Sequence, residues 1–128
     1  MTTLRIGIAT YEDMKARTMA IARGECRPAP DDPKVWFTSM ESFAKVLSEG
    51  NRELLRLIGE RQPGSLQELA EASGRKKSNL SRTLKRMADY GLVTLERAGG
   101  GRVVPHLAFD RIVLDLPLRH DGPSAAAE

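Results

Sequence analysis

The chain has 128 residues, of which 41% are hydrophobic and 29% are charged, and its length and composition suit one small folded domain. Its single cysteine, Cys26, excludes an internal disulfide and indicates a reducing cytosol. The N-terminus lacks the pattern of a signal peptide, and no stretch approaches the roughly 20 apolar residues that span a bilayer. We therefore expect a cytoplasmic protein that has no membrane partner.

The first elements are a short strand and a helix. Leu4, Ile6 and Ile8 alternate with other residues, which predicts a strand with one buried face. Thr10 can then cap a helix over residues 11–23. We expect the buried stripe of this helix to consist of Met14, Ile21 and Thr18.

A proline-rich loop and a second helix complete residues 1–50. Residues 24–33 contain three prolines and form a loop, in which Asp31 and Asp32 are typical of a turn. An extended run follows, and we expect its Trp36 to anchor the core of this region. The next helix begins after Thr38 or Ser39 and ends at Gly50. We interpret residues 1–50 as an extension that dimerises or binds a partner.

Residues 51–108 change from helical to strand periodicity. Three helices are predicted, and Ser65 caps the second of them with Glu68 three residues later, a capping box. Two short strands then flank the sequence AGGG at residues 98–101, which is typical of a hairpin with a flexible tip. This order of elements is the layout of a winged helix-turn-helix. The helices cover residues 52–61, 66–72 and 77–90.

The C-terminal part contains one more strand, within residues 109–118, and a tail at residues 119–128 that we expect to be disordered. Residues 4–8 and 112–116 are each too short to form a stable strand alone. Two alternatives remain open: these strands pair across a two-fold axis between two chains, or they pair within one chain.

The helix over residues 77–90 has two contrasting faces. At 3.6 residues per turn, Leu80, Leu84 and Met87 fall on one side, which predicts a narrow buried stripe. The opposite side carries hydrogen-bond donors that can read or hold DNA, because Arg pairs with guanine, Asn pairs with adenine, and Lys and Ser hold phosphates. These donors are Ser78, Arg82 and Lys85, which share that side with Asp89, and Asn79 and Arg86, which flank it.

Positive charge is concentrated around this helix. Eight basic and two acidic residues lie between Arg75 and Arg102, so this segment carries +6 on a chain whose total is +3. A basic segment of this kind is typical of a phosphate-binding surface. An ordinary solvated helix face is the simpler alternative, but such faces usually mix the two signs of charge.

The predicted hairpin gives a second indication of DNA binding. Arg97 and Arg102 flank its glycine-rich tip, where two guanidinium groups can reach a minor groove or a phosphate backbone. The alternative is a flexible hairpin with solubilising arginines. The glycines do not form a P-loop, because no Lys-Ser or Lys-Thr follows them and no helix begins there.

Nothing in the sequence predicts catalysis. His106 and His120 stand apart, and with one cysteine and no clustered carboxylates no metal site of the usual spacing is present. We expect no enzyme activity, no catalytic residue, no metal and no cofactor.

The run SLQELAEASGRKKSNLSRTLKRMADYGLVTLER resembles the helix-turn-helix and wing of MarR-type transcriptional regulators. Residues 4–116 also resemble a group of short DNA-binding proteins of bacteria and archaea. The resemblance implies that Ser78, Asn79, Ser81 and Arg82 lie at the DNA groove. The sequence departs from the family pattern at Lys76, where such proteins often have Ser or Thr. We therefore expect the cap of the helix over residues 77–90 to come from elsewhere, with Ser78 as a candidate.

The expected fold is α+β and mainly helical, a winged helix-turn-helix with an N-terminal strand–helix extension and a C-terminal strand. The expected function is an autorepressor that binds double-stranded DNA as a homodimer, through helix 77–90 and the wing at residues 97–102. The alternative is an antitoxin or interaction module, because some members of the resembled group are encoded beside small toxin genes. The expected DNA-binding residues are Arg75, Lys76, Lys77, Ser78, Asn79, Ser81, Arg82, Lys85, Arg86, Arg97 and Arg102.

Overall fold

The computed structural model describes residues 2–29 and 32–118. These residues form a small α+β fold in which five α-helices outweigh five short strands, and roughly half of the described residues are helical. The expected tail at residues 119–128 lies outside the described residues. In chain order the elements are β1 (Thr3–Ile8), α1 (Tyr11–Ala22), β2 (Val35–Phe37), α2 (Met40–Val46), α3 (Glu49–Arg61), α4 (Leu66–Ser73), α5 (Lys77–Asp89), β3 (Val93–Arg97), β4 (Val103–Leu107) and β5 (Arg111–Asp115).

The chain divides into two compact units, and each has its own secondary structure. Of the described residues, the helical unit contains residues 2 and 44–110, and the sheet unit contains residues 3–29, 32–43 and 111–118. The helical unit therefore begins before the predicted boundary at residue 51. The predicted C-terminal strand, β5, belongs to the sheet unit together with the N-terminal elements.

Side-chain caps define the start of α3 and α4 in the helical unit. The Ser48 hydroxyl accepts a hydrogen bond from the Asn51 backbone N–H at 3.2 Å, so α3 begins at residue 49. The prediction that Gly50 ends the preceding helix is wrong, because α2 ends at Val46 and Gly50 lies inside α3. At α4 the predicted cap is confirmed, since the Ser65 hydroxyl accepts from the Glu68 N–H at 3.1 Å.

The core of the helical unit is aliphatic and includes one side of each of the helices α3, α4 and α5. The burial of one Leu, Ile or Met side chain contributes roughly 1.5–3 kcal/mol to the free energy of folding. The strand β4 also lies close to α3, because a Cβ added at Gly59 would meet the Leu107 Cδ1 at 2.7 Å. The buried aliphatic residues on the three helices are Leu54, Ile58, Leu66, Leu69, Leu80, Leu84 and Met87.

The sheet unit is organised around a three-stranded parallel sheet with the order β2-β1-β5. Thr3 pairs with Arg111 and Gly7 with Asp115, so the two terminal strands lie side by side within one chain. Of the two alternatives that the sequence left open, the structure therefore has the pairing within one chain. The suggestion that β1 and β5 pair with each other across a two-fold axis is wrong, because β1 already has a partner on each of its two edges.

Aromatic residues of β2 pack on both faces of this sheet. Trp36 lies over Gly7, where an added Cβ would come within 2.4 Å of the indole ring, and the Arg17 guanidinium lies 5.5 Å from that ring. Phe37 is fully buried and meets the Phe43 ring edge-on at a centroid distance of 5.4 Å. Phe37, rather than the half-buried Trp36, is therefore the buried aromatic anchor of this unit.

Helix α1 differs from its prediction. Thr10 caps it as expected, with its hydroxyl accepting from the Asp13 N–H at 3.1 Å, but no residue of the helix is buried. Its main polar contact is between Arg17 and Asp32, whose side chains lie 2.7 Å apart. Asp32 also accepts from the Ala29 N–H at 2.7 Å, so this buried carboxylate holds the loop to the helix. A stripe of only two apolar residues and one threonine is too narrow to bury a helix face.

Candidate nucleic-acid interface

Helix α5 buries one side and exposes the other, as its periodicity predicts. Leu80, Leu84 and Met87 are at most 1% exposed, so the helix is held firmly by its apolar stripe. The donors predicted from the periodicity and Ser81, which the family resemblance implies, are all exposed to solvent. This arrangement fixes the orientation of the helix and leaves its polar side chains free to contact a ligand. The exposed donors are Ser78, Asn79, Ser81, Arg82, Lys85 and Arg86.

The exposed side of α5 is positively charged and lacks internal compensation. Within the described part of the chain, none of its cationic side chains forms an ion pair with a carboxylate. Asp89, at the C-terminal end, is the only acidic residue of the helix. Because like charges on neighbouring turns repel each other, a bound polyanion would stabilise this surface. We call the exposed cationic residues Lys76, Lys77, Arg82, Lys85 and Arg86 the α5 basic face.

The N-terminus of α5 has no side-chain cap. Lys76 occupies the N-cap position and its side chain makes no capping hydrogen bond, whereas α1, α3 and α4 all begin with a capping hydroxyl. The expectation that Ser78 supplies the cap is wrong, because Ser78 lies within the first helical turn. The first backbone N–H groups of α5 therefore add their partial positive charge to that of Lys76 and Lys77.

Arg75 is placed differently from the other predicted DNA-binding residues. It is half-buried, and its Nη1 donates to the Asn51 Oδ1 at 3.0 Å. The Asn51 Nδ2 in turn donates to the backbone carbonyl of Val46 at 3.0 Å. Arg75 therefore ties the turn before α5 to the start of α3. Sequence reasoning missed Asn51, and no pattern of periodicity or charge marks it.

Two depressions lie beside the α5 basic face. The first has a volume of about 340 Å³ and brings Lys45, which sequence reasoning also missed, to the same concave surface as Arg82 and Arg86. The second is more open, has a volume of about 520 Å³, and is lined by Arg75, Lys76, Ser78, Asn79 and Arg82. Asn79 and Arg82 line both depressions, so they occupy the centre of the candidate interface.

The hairpin of β3 and β4 carries the two remaining predicted residues. Its strands are antiparallel, and the pair Arg97–Val103 is the last before the tip. The tip is the glycine turn Gly99–Gly101, in which Gly100 and Gly101 have φ angles of +77° and +75° that favour glycine. Arg97 is exposed, whereas the exposed Arg102 folds back so that its Nε donates to the Gly99 carbonyl at 3.2 Å.

Neither a cluster of metal-ligating side chains nor a membrane-spanning helix is found in the described ranges, residues 2–29 and 32–118. Within them, no three His, Cys, Asp or Glu side chains come together in a group that could hold a metal ion. No helix there has the length and apolar character needed to cross a bilayer.

Comparison with known proteins identifies a family but no individual relative. The model of the HVO_A0114 family matches residues 46–114, from the end of α2 to within β5. This match covers more than half of the chain and contains all of the predicted DNA-binding residues, while Lys45 lies just before it. No curated protein and no solved structure matches the chain significantly. The chain therefore belongs to the HVO_A0114 family.

Proposed function

We propose that this protein is a DNA-binding transcriptional regulator of the winged helix-turn-helix type, similar to MarR regulators, and not an enzyme. The observation that carries the proposal is the α5 basic face, whose five cations are exposed and unpaired with any described carboxylate. Because the buried stripe Leu80–Leu84–Met87 fixes the helix, these donors would meet DNA as a preformed surface.

The order of elements supports the helix-turn-helix assignment. Gly74 caps the C-terminus of α4 with a φ angle of +75° that reverses the chain, and α5 begins three residues later. In this proposal α5 enters the major groove, where Asn79 and Arg82 read base edges. Lys85 and the N-terminus of α5 hold phosphates, which set the position of the protein without specifying sequence.

The hairpin supports the wing assignment. Its exposed Arg97 and the glycine-rich tip suit contact with a phosphate backbone or a minor groove beside the major-groove site. In this proposal the protein acts in the cytoplasm as a homodimer on a double-stranded operator, and represses its own gene.

The test is binding of the purified protein to the DNA upstream of its own gene, measured across a salt series. Each phosphate contact should add about −0.9 to the slope of log affinity against log salt. Arg82→Ala should cost about 1–3 kcal/mol on the native site and reduce sequence preference. Lys85→Ala should weaken binding to all sequences equally and flatten the slope.

Arg61→Ala is the matched control, because it removes an exposed positive charge of the same unit from a surface that also carries Glu68 and Glu71. It should leave both affinity and slope close to the wild-type values. Absence of binding to both the native site and random duplex DNA at low salt would exclude the proposal.

A second candidate function is an antitoxin or protein-interaction module. Helix α1 favours it, because no residue of the helix is buried and Tyr11 and Met19 are 73% and 43% exposed. In this alternative α1 binds a small toxin protein encoded beside the gene. Co-expression with that neighbouring protein should give a complex that Tyr11→Asp with Met19→Asp disrupts, while DNA binding is retained.

A further inference from the structure

Strand β5 occupies an edge of the parallel sheet. It pairs with β1 on one side, and no described strand pairs with it on the other. Its central residues Ile112, Val113 and Leu114 are only partly buried, and Leu116 just beyond the strand is 46% exposed. A free edge of this kind carries unpaired backbone donors and acceptors, which can form hydrogen bonds with another strand.

The sequence of β5 is complementary to itself in the antiparallel direction. If two copies pair with Val113 opposite Val113, Arg111 of each chain faces Asp115 of the second copy, and Ile112 faces Leu114. Opposite charges that face each other across antiparallel strands stabilise the pair, as do facing apolar side chains. Centring the pairing on Ile112 or Leu114 instead would place Arg111 or Asp115 opposite Val113.

Both charged residues are available for this contact. Arg111 is exposed and forms no ion pair with any described residue. Asp115 accepts from the Arg5 Nη2 at 3.3 Å through its Oδ2 only, and its side chain remains 40% exposed. Arg111, Val113 and Asp115 share one face of the strand, because successive side chains alternate between faces.

We propose that the protein forms a homodimer through antiparallel pairing of β5 with β5 of a second copy, centred on Val113. The two sheets then form one continuous six-stranded sheet, and the edge of β5 is no longer open. This inference deepens the proposed function, since a dimeric DNA reader matches a palindromic operator. Its test contains no DNA, so failure of the dimer and failure of DNA binding are separate results.

Sedimentation analysis at micromolar concentration should show a wild-type dimer. Arg111→Glu and Asp115→Lys should each raise the dissociation constant about tenfold or more, because each change places like charges opposite one another at two symmetric positions. An equimolar mixture of these two variants should recover a dimer, since every facing pair then has opposite charges. Arg111→Lys should remain a dimer, and so should Arg97→Glu, which reverses an exposed charge elsewhere.

Val113→Cys in a Cys26→Ser background gives an independent measurement. Facing residues of antiparallel strands have Cα atoms about 4.5–5.5 Å apart, which a disulfide can bridge. Oxidation should therefore give a covalent dimer, even if one of the charge variants does not fold. A monomeric wild-type protein, an unchanged dimer in folded Arg111→Glu, no recovery on mixing of folded variants, or no cross-link would overturn the inference.

Discussion

The Arg75 Nη1 donates to the Asn51 Oδ1 at 3.0 Å and so joins two residues that are 24 positions apart in the chain. Asn51 also bonds the backbone carbonyl of Val46, so one amide side chain connects α2, α3 and the turn before α5. This relationship gives Arg75 a role in positioning α5, in addition to any contact with a phosphate.

The hydrogen bond between Arg75 and Asn51 leads to a first prediction, about the free energy of unfolding. Asn51→Ala and Arg75→Ala should each lower the free energy of unfolding by about 1–2 kcal/mol, because each removes a charge-assisted hydrogen bond from a half-buried site. The double variant should lose less than the sum of the two single losses. Urea unfolding of the four proteins measures this coupling, and strictly additive losses would show that the two side chains do not act together.

The two sides of α5 should respond to mutation in opposite ways. Leu84→Ala should cost about 2–5 kcal/mol of unfolding free energy, because it leaves a cavity at a site that is 1% exposed. Arg82→Ala, two residues earlier, should change that free energy by no more than about 0.5 kcal/mol. Chemical denaturation separates the two effects, and a large loss of stability in Arg82→Ala would mean that this side chain has a structural role.

Loss of the side-chain hydroxyl should lower the stability of the fold at Ser65, which caps α4, but not at Ser78. Ser65→Ala removes the hydroxyl that accepts from the Glu68 N–H and should lower stability by about 1 kcal/mol. Ser78→Ala should leave thermal stability nearly unchanged, because Ser78 is exposed and does not cap α5. Comparable losses in the two variants, measured as melting temperatures in the same buffer, would contradict this assignment.

Gly7 should not tolerate a larger side chain. Gly7→Ala places a Cβ within 2.4 Å of the Trp36 ring, so the ring must move, at a cost of about 1–3 kcal/mol. Since Trp36 is the only tryptophan of the chain, its fluorescence should report the displacement directly. Gly99→Ala is the control, because an added Cβ there meets nothing within 4 Å and should leave the emission spectrum unchanged.

Much of the helical unit could be predicted from local patterns. The spacing of Leu80, Leu84 and Met87 identified the buried side of α5, and the remaining positions identified its donors. Ser65 and Thr10 were recognisable as caps because a cap bonds to a backbone group only three residues away. Interactions of this range depend on neighbours in sequence, so periodicity and residue type are sufficient to predict them.

The sheet unit was harder to predict. The alternation in β1 indicated a strand with one buried face, but the same alternation suits pairing with β5 of the same chain or of a second chain. The end of α2 was also predicted wrongly, because Gly50 resembles a helix terminator and the cap at Ser48 was not recognised. At α2 two local signals competed, a glycine and a serine cap, whereas the partners of β1 and β5 depend on residues far apart in the chain.

The sequence by itself determined the buried side of α5, the caps at Thr10 and Ser65 and the sign of charge on α5, because these follow from backbone geometry and from side chains within one or two turns. Only the tertiary structure decided that β1 and β5 lie side by side and that Trp36 covers Gly7. It also decided that Arg75 bonds to Asn51. The physical reason is separation along the chain: these contacts form only after the rest of the fold has closed the loops between them, so no local preference encodes them.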